Sequence, residues 1–320
     1  MRFNAVRALC TVLLLCILLS GCSADAPENS SDTDKGVKIT DALGYEHYIK
    51  EKPQRVAALI GSFAEVWQLA GGEDTLVAAP EDAFEDLGLE LENAVCIGGA
   101  HSPNTELLIS VRPELVLASS STSSNVELRE TLSAAGIRVI YYDVDCFEDY
   151  LSMLRDFTAI TDRPDLYEKN GEALRQRIEK VKSELAGSRV TEEQKRILLL
   201  RASSSSVKAK GSEGTVLGEM LADMGCVNVA DNSSGILESL SVESIVAADP
   251  YRIFVVTMGD DTEGAKKAVD TLLAENPALS GLSAVKEGRL HVMDKRLYNM
   301  KPNGRWAEAY EGLYEIITKD

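Results

Sequence analysis

The chain has 320 residues and a formal charge of -18, from 33 Lys and Arg against 51 Asp and Glu. So acidic a surface repels nucleic acid and anionic lipid headgroups, which excludes both as expected partners, though a few cations in a cleft can still reverse the sign locally. An apolar share of 45% with only 9 Pro and 23 Gly excludes a fibre, and the length suits one large or two medium domains.

At the start, Arg2 and Arg7 precede an apolar run from Ala8 to Leu19, followed by Leu19-Ser20-Gly21-Cys22 and the polar stretch 23–36. A charged segment, a short apolar segment and small residues before a cut describe a secretory signal over residues 1–21. The run is shorter than the roughly 20 residues that span a bilayer. The four residues ending at Cys22 are similar to a bacterial lipobox, in which that Cys carries lipid. Two or more acyl chains make anchoring stable, so residues 22–36 read as a lipidated Cys on a flexible tether at the outer face of the cell membrane. Loss of residues 1–21, which hold two Arg and no acid, makes the remainder more negative still. Three cysteines then remain, Cys96, Cys146 and Cys226, an odd number with no CxxC spacing, and buried inert thiols are the expectation.

Short apolar runs alternate with helical patterns from residue 37 onward. Strands are expected at Val56–Ile60, Leu76–Ala79, Val95–Ile97, Leu115–Ala118 and Val139–Tyr142, with amphipathic stretches such as Phe63–Ala70 and Val126–Ala135 between them. Continuously apolar strands separated by helices indicate a parallel sheet covered on both faces. Phe147–Thr161 reads as a helix, and Asp162-Arg163-Pro164 breaks it and starts another. From Asp165 to about Leu185 runs a charged helix roughly 30 Å long, of the size that connects two lobes. A second block follows: strand Ile197–Leu200, helix Thr215–Met224, strand Arg252–Thr257, helix Ala265–Glu275, strand Arg289–Met293 and helix Arg305–Thr318. The expected organisation is an N-terminal lobe over 37–161, a connecting helix over 162–188 and a C-terminal lobe over 189–320. In places the halves look alike. Glu106 to Pro113 and the strand after it parallel Glu243 to Pro250 and the strand after that.

The lipobox, the two α/β halves and the single connecting helix resemble the class III substrate-binding proteins of ABC importers, which capture ferric siderophores, haem and cobalamin. The phrases that carry the likeness are Arg55-Val56 leading to Ser62-Phe-Ala-Glu65 and Leu69-Ala-Gly-Gly72, Glu106 to Leu117, Leu132 to Val139, Gly218 through Gly225 to Asn228-Val-Ala, Ser241 to Val256, and Leu282 to His291. Together they span nearly everything from about Val37 to the end. The resemblance implies two Rossmann-like lobes with mostly parallel sheets, a ligand cleft between them and limited closure. It also implies a monomer that hands its ligand to a permease and its ATPase without bond breaking and with no intrinsic cofactor.

In open α/β sheets ligands sit beyond the carboxyl ends of the strands. That points to Ser62, to Gly98–Asn104 with His101, to Ser119–Ser124, to Arg201–Lys210 with Lys208 and Lys210, to Met258–Asp260, and to Arg296–Arg305 with Tyr298, Met300 and Lys301. Arg201, Lys208, Lys210, Arg296, Lys301 and Arg305 make a basic concentration suited to an anionic ferric siderophore through charge-assisted hydrogen bonds. Tyr298 offers stacking or a cation–π contact. Haem is the rival ligand, with His101, Met258, Met300 and Tyr298 as candidate axial groups, and cobalamin or another corrinoid is a third. Trp67 and Trp306 read as packing residues. The resemblance further implies an exposed Glu near a helix start in each lobe, pairing with Arg pockets on the permease. Glu65 fits in the first half, where Ser62-x-x-Glu65 is also a capping box; Glu213 or Glu219 fits in the second, with Glu213 nearer the helix start. No phosphate loop, GxSxG elbow, HExxH or Cys/His spacing supports an enzyme or a metal site. A sensory or adhesive lipoprotein on the same fold is the remaining class.

Overall fold

The computed structural model describes residues 36–259 and 261–319. The expected signal segment and the lipidation site Cys22 lie outside the described residues. Among those described, no helix is long and apolar enough to cross a membrane.

A hairpin absent from the sequence reading comes first, β1 (Val37–Thr40) paired antiparallel to β2 (Glu46–Ile49). Asp41 locks its turn by accepting hydrogen bonds from the backbone N–H groups of Leu43 and Tyr45 and by pairing with His47 at 2.9 Å. Five parallel strands follow: β3 (Val56–Ala58), β4 (Leu76–Ala79), β5 (Val95–Cys96), β6 (Leu115–Ser119) and β7 (Arg138–Tyr142), in spatial order β5-β4-β3-β6-β7. The second sheet holds β8 (Arg196–Ser203), β9 (Ser206–Lys210), β10 (Val227–Asn228), β11 (Arg252–Thr257) and β12 (Leu290–Met293). Its parallel order is β10-β8-β11-β12, and β9 turns back antiparallel along the second half of β8.

Each central strand is apolar on both faces because both faces are covered. On the first sheet Ala57, Leu59, Val116, Ala118 and Val139 pack outward, while Val56, Ala58, Leu115, Leu117 and Ile140 pack inward. On the second, Leu198, Leu200, Ile253 and Val255 form the outer cluster, and Ile197, Leu199, Phe254, Val256 and Met293 belong to the inner one. The two inner faces share one continuous core. Helices Phe147–Thr161, Ala173–Ala186, Val216–Asp223 and Trp306–Thr318 fill the space between them, with Trp67 and Trp306 fully buried as packing residues.

The expected break falls at Asp162, whose left-handed backbone (φ 56°) ends helix Phe147–Thr161 before Pro164 opens the next. Helical chain then runs from Pro164 to Ala186 with a π-type stretch at Glu168–Glu172. Gly171 lies in that stretch, where a Cβ would come within 3.0 Å of Leu151 and 3.2 Å of Leu154, so the glycine permits close approach to helix Phe147–Thr161. The long helix has a companion, because the C-terminal helix packs along it and Arg177 pairs with Glu311 at 2.8 Å. All three cysteines are unpaired thiols. Burial pushes Cys146 and Cys226 up to about 11, which keeps them protonated; of the three expected to be buried only Cys226 is, with Cys146 half-buried and Cys96 exposed on the edge strand β5.

Candidate functional site

On the second sheet, three neighbouring cations form no ion pair among the described residues. The sequence reading made Arg201–Lys210 a loop, and the structure corrects it: β8 extends to Ser203, turns, and returns as β9. The signal was the alternation Val207-Lys208-Ala209-Lys210, with Ala209 buried and Lys208 exposed. Arg201 stands opposite Lys208 and Leu199 opposite Lys210, so the three cations share the face that Leu199 turns to the inner core. Arg201 is half-buried and its Nε, fully removed from solvent, has no hydrogen-bond partner. Burial pushes the guanidinium pKa down, and the nearby charge of Asp145 opposes that. Burial, then the charges of Arg201 and Lys208, likewise lowers Lys210. Among the described residues no carboxylate forms an ion pair with any of the three. Such a cluster is held at an electrostatic cost that an anion relieves.

Opposite this hairpin, the chain leaving β12 returns to the first half and is tied there three times. Lys295 reaches Asp86 at 3.4 Å, Arg296 reaches Glu65 at 2.6 Å, and Lys301 reaches Asp145 at 3.6 Å. Every cation lies on the returning segment, and every anion lies beyond the carboxyl end of a first-sheet strand. The middle tie is the tightest. Both oxygens of Glu65 accept from Arg296 Nη2, and Oε2 also accepts from Asn303 Nδ2 at 2.6 Å. Asn303 is fully buried with φ 52°, and its amide donates as well to the Ser62 carbonyl at 2.9 Å.

This network corrects four expectations. Glu65 is not an exposed docking acid: its side chain is 18% exposed and held by Arg296 and Asn303. Nor does it cap a helix. Helix Gly61–Leu69 begins after Ile60 without a side-chain cap, which places Ser62 inside it, buried, with an unpartnered Oγ. Arg296 is committed to Glu65 and to the Lys301 carbonyl (2.7 Å), so it is not a free ligand cation. Tyr298 is 5% exposed and its hydroxyl donates to the Ala309 carbonyl, so it neither stacks on a ligand nor serves as an axial group.

The remaining candidates are more open. His101 is exposed on a loop fixed by Asn125, whose amide donates to the Ala100 carbonyl and accepts from the Ser119 N–H. Met258 is 47% exposed, and Met300 and Lys301 are half-buried. Glu213 is exposed, whereas Glu219 turns inward to accept from the Gly214 N–H at 3.1 Å. A hollow of about 380 Å³ between the halves is lined by Cys146, Glu179, Lys182, Glu219, Asp223 and Tyr310. Its carboxylates outnumber its one cation, so it suits an anionic ligand less well than the hairpin face.

The parallel between Glu106–Pro113 and Glu243–Pro250 extends to the backbone. Asn104 caps helix Thr105–Ser110 by accepting from Leu107 N–H, and Ser241 caps helix Val242–Ala248 by accepting from Ser244 N–H. Arg112 and Asp249, each just before the Pro, share a left-handed conformation (φ 49° and 39°). Glu106 and Glu243 each sit in the first turn of their helix, exposed and without an ion-pair or hydrogen-bond partner among the described residues.

Residues 56–297 match the family model described as periplasmic binding protein. An uncharacterized ABC transporter substrate-binding lipoprotein of Bacillus subtilis, YvrC, is 25% identical over 97% of this chain and 96% of its own length. The Fe(3+)-citrate-binding protein YfmC of Bacillus subtilis is 25% identical over 91% of this chain and 90% of its own. Among solved structures, Staphylococcus aureus SirA complexed with staphyloferrin B superposes with a TM-score of 0.69 at 19% identity, covering 88% of this chain and 98% of that one, a likeness of fold.

Proposed function

The chain belongs to the periplasmic binding protein family, and from that premise we propose that it captures an anionic ferric complex of the siderophore class outside the cell and delivers it to an ABC importer. In this reading Cys22 carries the lipid that keeps the receptor at the membrane, and its partners are the permease and the ATPase behind it. The observation that carries the ligand class is the unpaired basic face of Arg201, Lys208 and Lys210. A polycarboxylate or catecholate wrapped around Fe(III) presents several anionic oxygens, which such cations bind by charge-assisted hydrogen bonds on a partly desolvated face. A relative that binds Fe(3+)-citrate and a fold neighbour holding staphyloferrin B support the same chemistry. Function here is capture and release, with no bond made or broken.

Docking to the permease falls to Glu106 and Glu243 in this proposal. They replace Glu65, whose carboxylate is occupied, and stand in matched places on the two halves with free carboxylates. Exposed Glu213 has no counterpart at the same place in the first half.

Tyrosine and tryptophan fluorescence titrated with ferric citrate, a ferric catecholate, haemin and cyanocobalamin tests the ligand class. A saturable response to a ferric complex is expected, weakened about tenfold or more in Arg201→Ala, a loss of about 1.4 kcal/mol. A response to haemin or cyanocobalamin alone, or an affinity that Arg201→Ala leaves intact, would overturn it.

A further inference from the structure

Among the described residues, Asp145 is the carboxylate whose charge bears on the unpaired basic face of the hairpin. It follows β7, lies 3.6 Å from Lys301 Nζ, and its charge acts on Arg201. We propose that Asp145 is a resident counter-anion, holding one ligand carboxylate's place between Lys301 and Arg201 and so selecting ligands with two or more negative charges. The inference rests on the reading of the basic hairpin face as a site for an anionic ferric complex, and it goes beyond that reading by naming what the ligand must displace.

The two pairs made by the returning segment differ in a way that fits the role. Glu65 and Arg296 meet at 2.6 Å with Asn303 added, both side chains 18% exposed, a contact built to persist. Asp145 and Lys301 meet beyond hydrogen-bond length, with side chains 34% and 25% exposed. A loose, solvent-accessible pair exchanges partners readily, since it is held by little more than screened Coulomb attraction. The surroundings of both groups are nevertheless fixed. The main-chain N–H of Asp145 donates to Asp149 Oδ2 at 3.1 Å, and the Lys301 carbonyl accepts from Arg296 Nη1 at 2.7 Å. The backbones therefore stay in place while the side chains part. Lys301 and Arg201 then share this single carboxylate, while Lys208 and Lys210 lie beside Arg201 on the same face of the hairpin with no carboxylate of their own among the described residues. A monoanion offers them no more than Asp145 already does, whereas a polyanion does.

The experiment compares the full chain with Asp145→Asn, Lys301→Gln and the double variant. In the first arm ferric citrate is titrated by fluorescence. Asp145→Asn is expected to bind about five-fold tighter, with the gain reduced in the Lys301→Gln background; an unchanged or weaker affinity overturns the proposal. In the second arm inorganic sulfate is added during thermal unfolding. Sulfate is expected to raise the Tm of Asp145→Asn more than that of the parent, and equal rises overturn the proposal whatever ferric citrate does. Failure of the parent chain to bind ferric citrate, alongside a sulfate effect specific to Asp145→Asn, removes the proposed ligand and leaves the counter-anion standing.

Discussion

Asp156 lies two-thirds down helix Phe147–Thr161 and accepts a hydrogen bond from the Tyr142 hydroxyl at 3.2 Å. Burial pushes its pKa up to about 6, against the opposing pull of the Tyr142 hydrogen bond and of Arg155. A carboxyl raised in this way binds its proton more tightly in the folded than in the unfolded chain. Between about pH 4 and pH 6 the folded state therefore holds more protons, and this group's contribution to stability falls as pH rises through that window. Above it the protein carries a poorly solvated carboxylate at a cost of about 2 kcal/mol. Asp156→Asn keeps an acceptor for Tyr142 and removes the charge. Its Tm should match the parent at pH 4 and exceed it by a few degrees at pH 7 to 8, read by circular dichroism across that range; parallel curves would refute the assignment. Nothing in the sequence marked this residue, because its pKa is set by what Tyr142 and the core bring against it. Arg201 was legible as a cation directly after the apolar run Ile197–Leu200, although β8 continues past it to Ser203.

At the scale of elements, the segment after β12 ties the halves together through three ion pairs, of which Arg296–Glu65 is the shortest. Removing one partner of a semi-buried ion pair leaves the other charged and poorly solvated, which costs about 3 kcal/mol. Arg296→Ala should lower stability by about that amount in urea unfolding, whereas Glu65→Gln, which retains an acceptor for Asn303, should cost clearly less. The double variant Glu65→Ala with Arg296→Ala should recover part of the loss, as expected for directly coupled residues. Strict additivity would show that the latch contributes little. The sequence showed Glu65 and Arg296 only as a docking acid and a ligand cation. They are 231 positions apart, and local spacing says nothing of such pairs. The capping box failed for a related reason. Its Ser-x-x-Glu spacing is present, yet the helix starts two residues earlier, with Ile60 at the N-cap, and Glu65 has a stronger partner in Arg296. Hairpin β8–β9 is legible in the sequence, because Val207-Lys208-Ala209-Lys210 alternates with the period of a strand.

The whole molecule presents Glu106 and Glu243 on matched helix starts while one core spans both sheets. If both acids dock on the permease, charge reversal at the two positions (Glu106→Lys with Glu243→Lys) should abolish uptake in cells while leaving ferric citrate affinity and Tm within error of the parent. Glu65→Lys should instead unfold or destabilise the protein, because it sets a cation against Arg296. Uptake unchanged by the double reversal would remove the docking assignment. The shared core also explains why Gly36–Asp320 pack as one compact unit although the fold contains two sheets. Closure around a ligand must then be small, since large rotation would open a close-packed interior.

The amino-acid sequence by itself determined the alternation of buried strands and amphipathic helices, the break at Asp162–Pro164, the long helix after it and the basic character of residues 201–210. Each of these follows from local periodicity or from the φ restriction of a single residue. Only the tertiary structure decided which charges are spent. Arg296 on Glu65, held tightly, and Lys301 on Asp145, held loosely, are pairings between distant parts of the chain. A charged side chain reads the same in sequence whether solvent, a ligand or a buried partner neutralises it, and burial with geometry settles which.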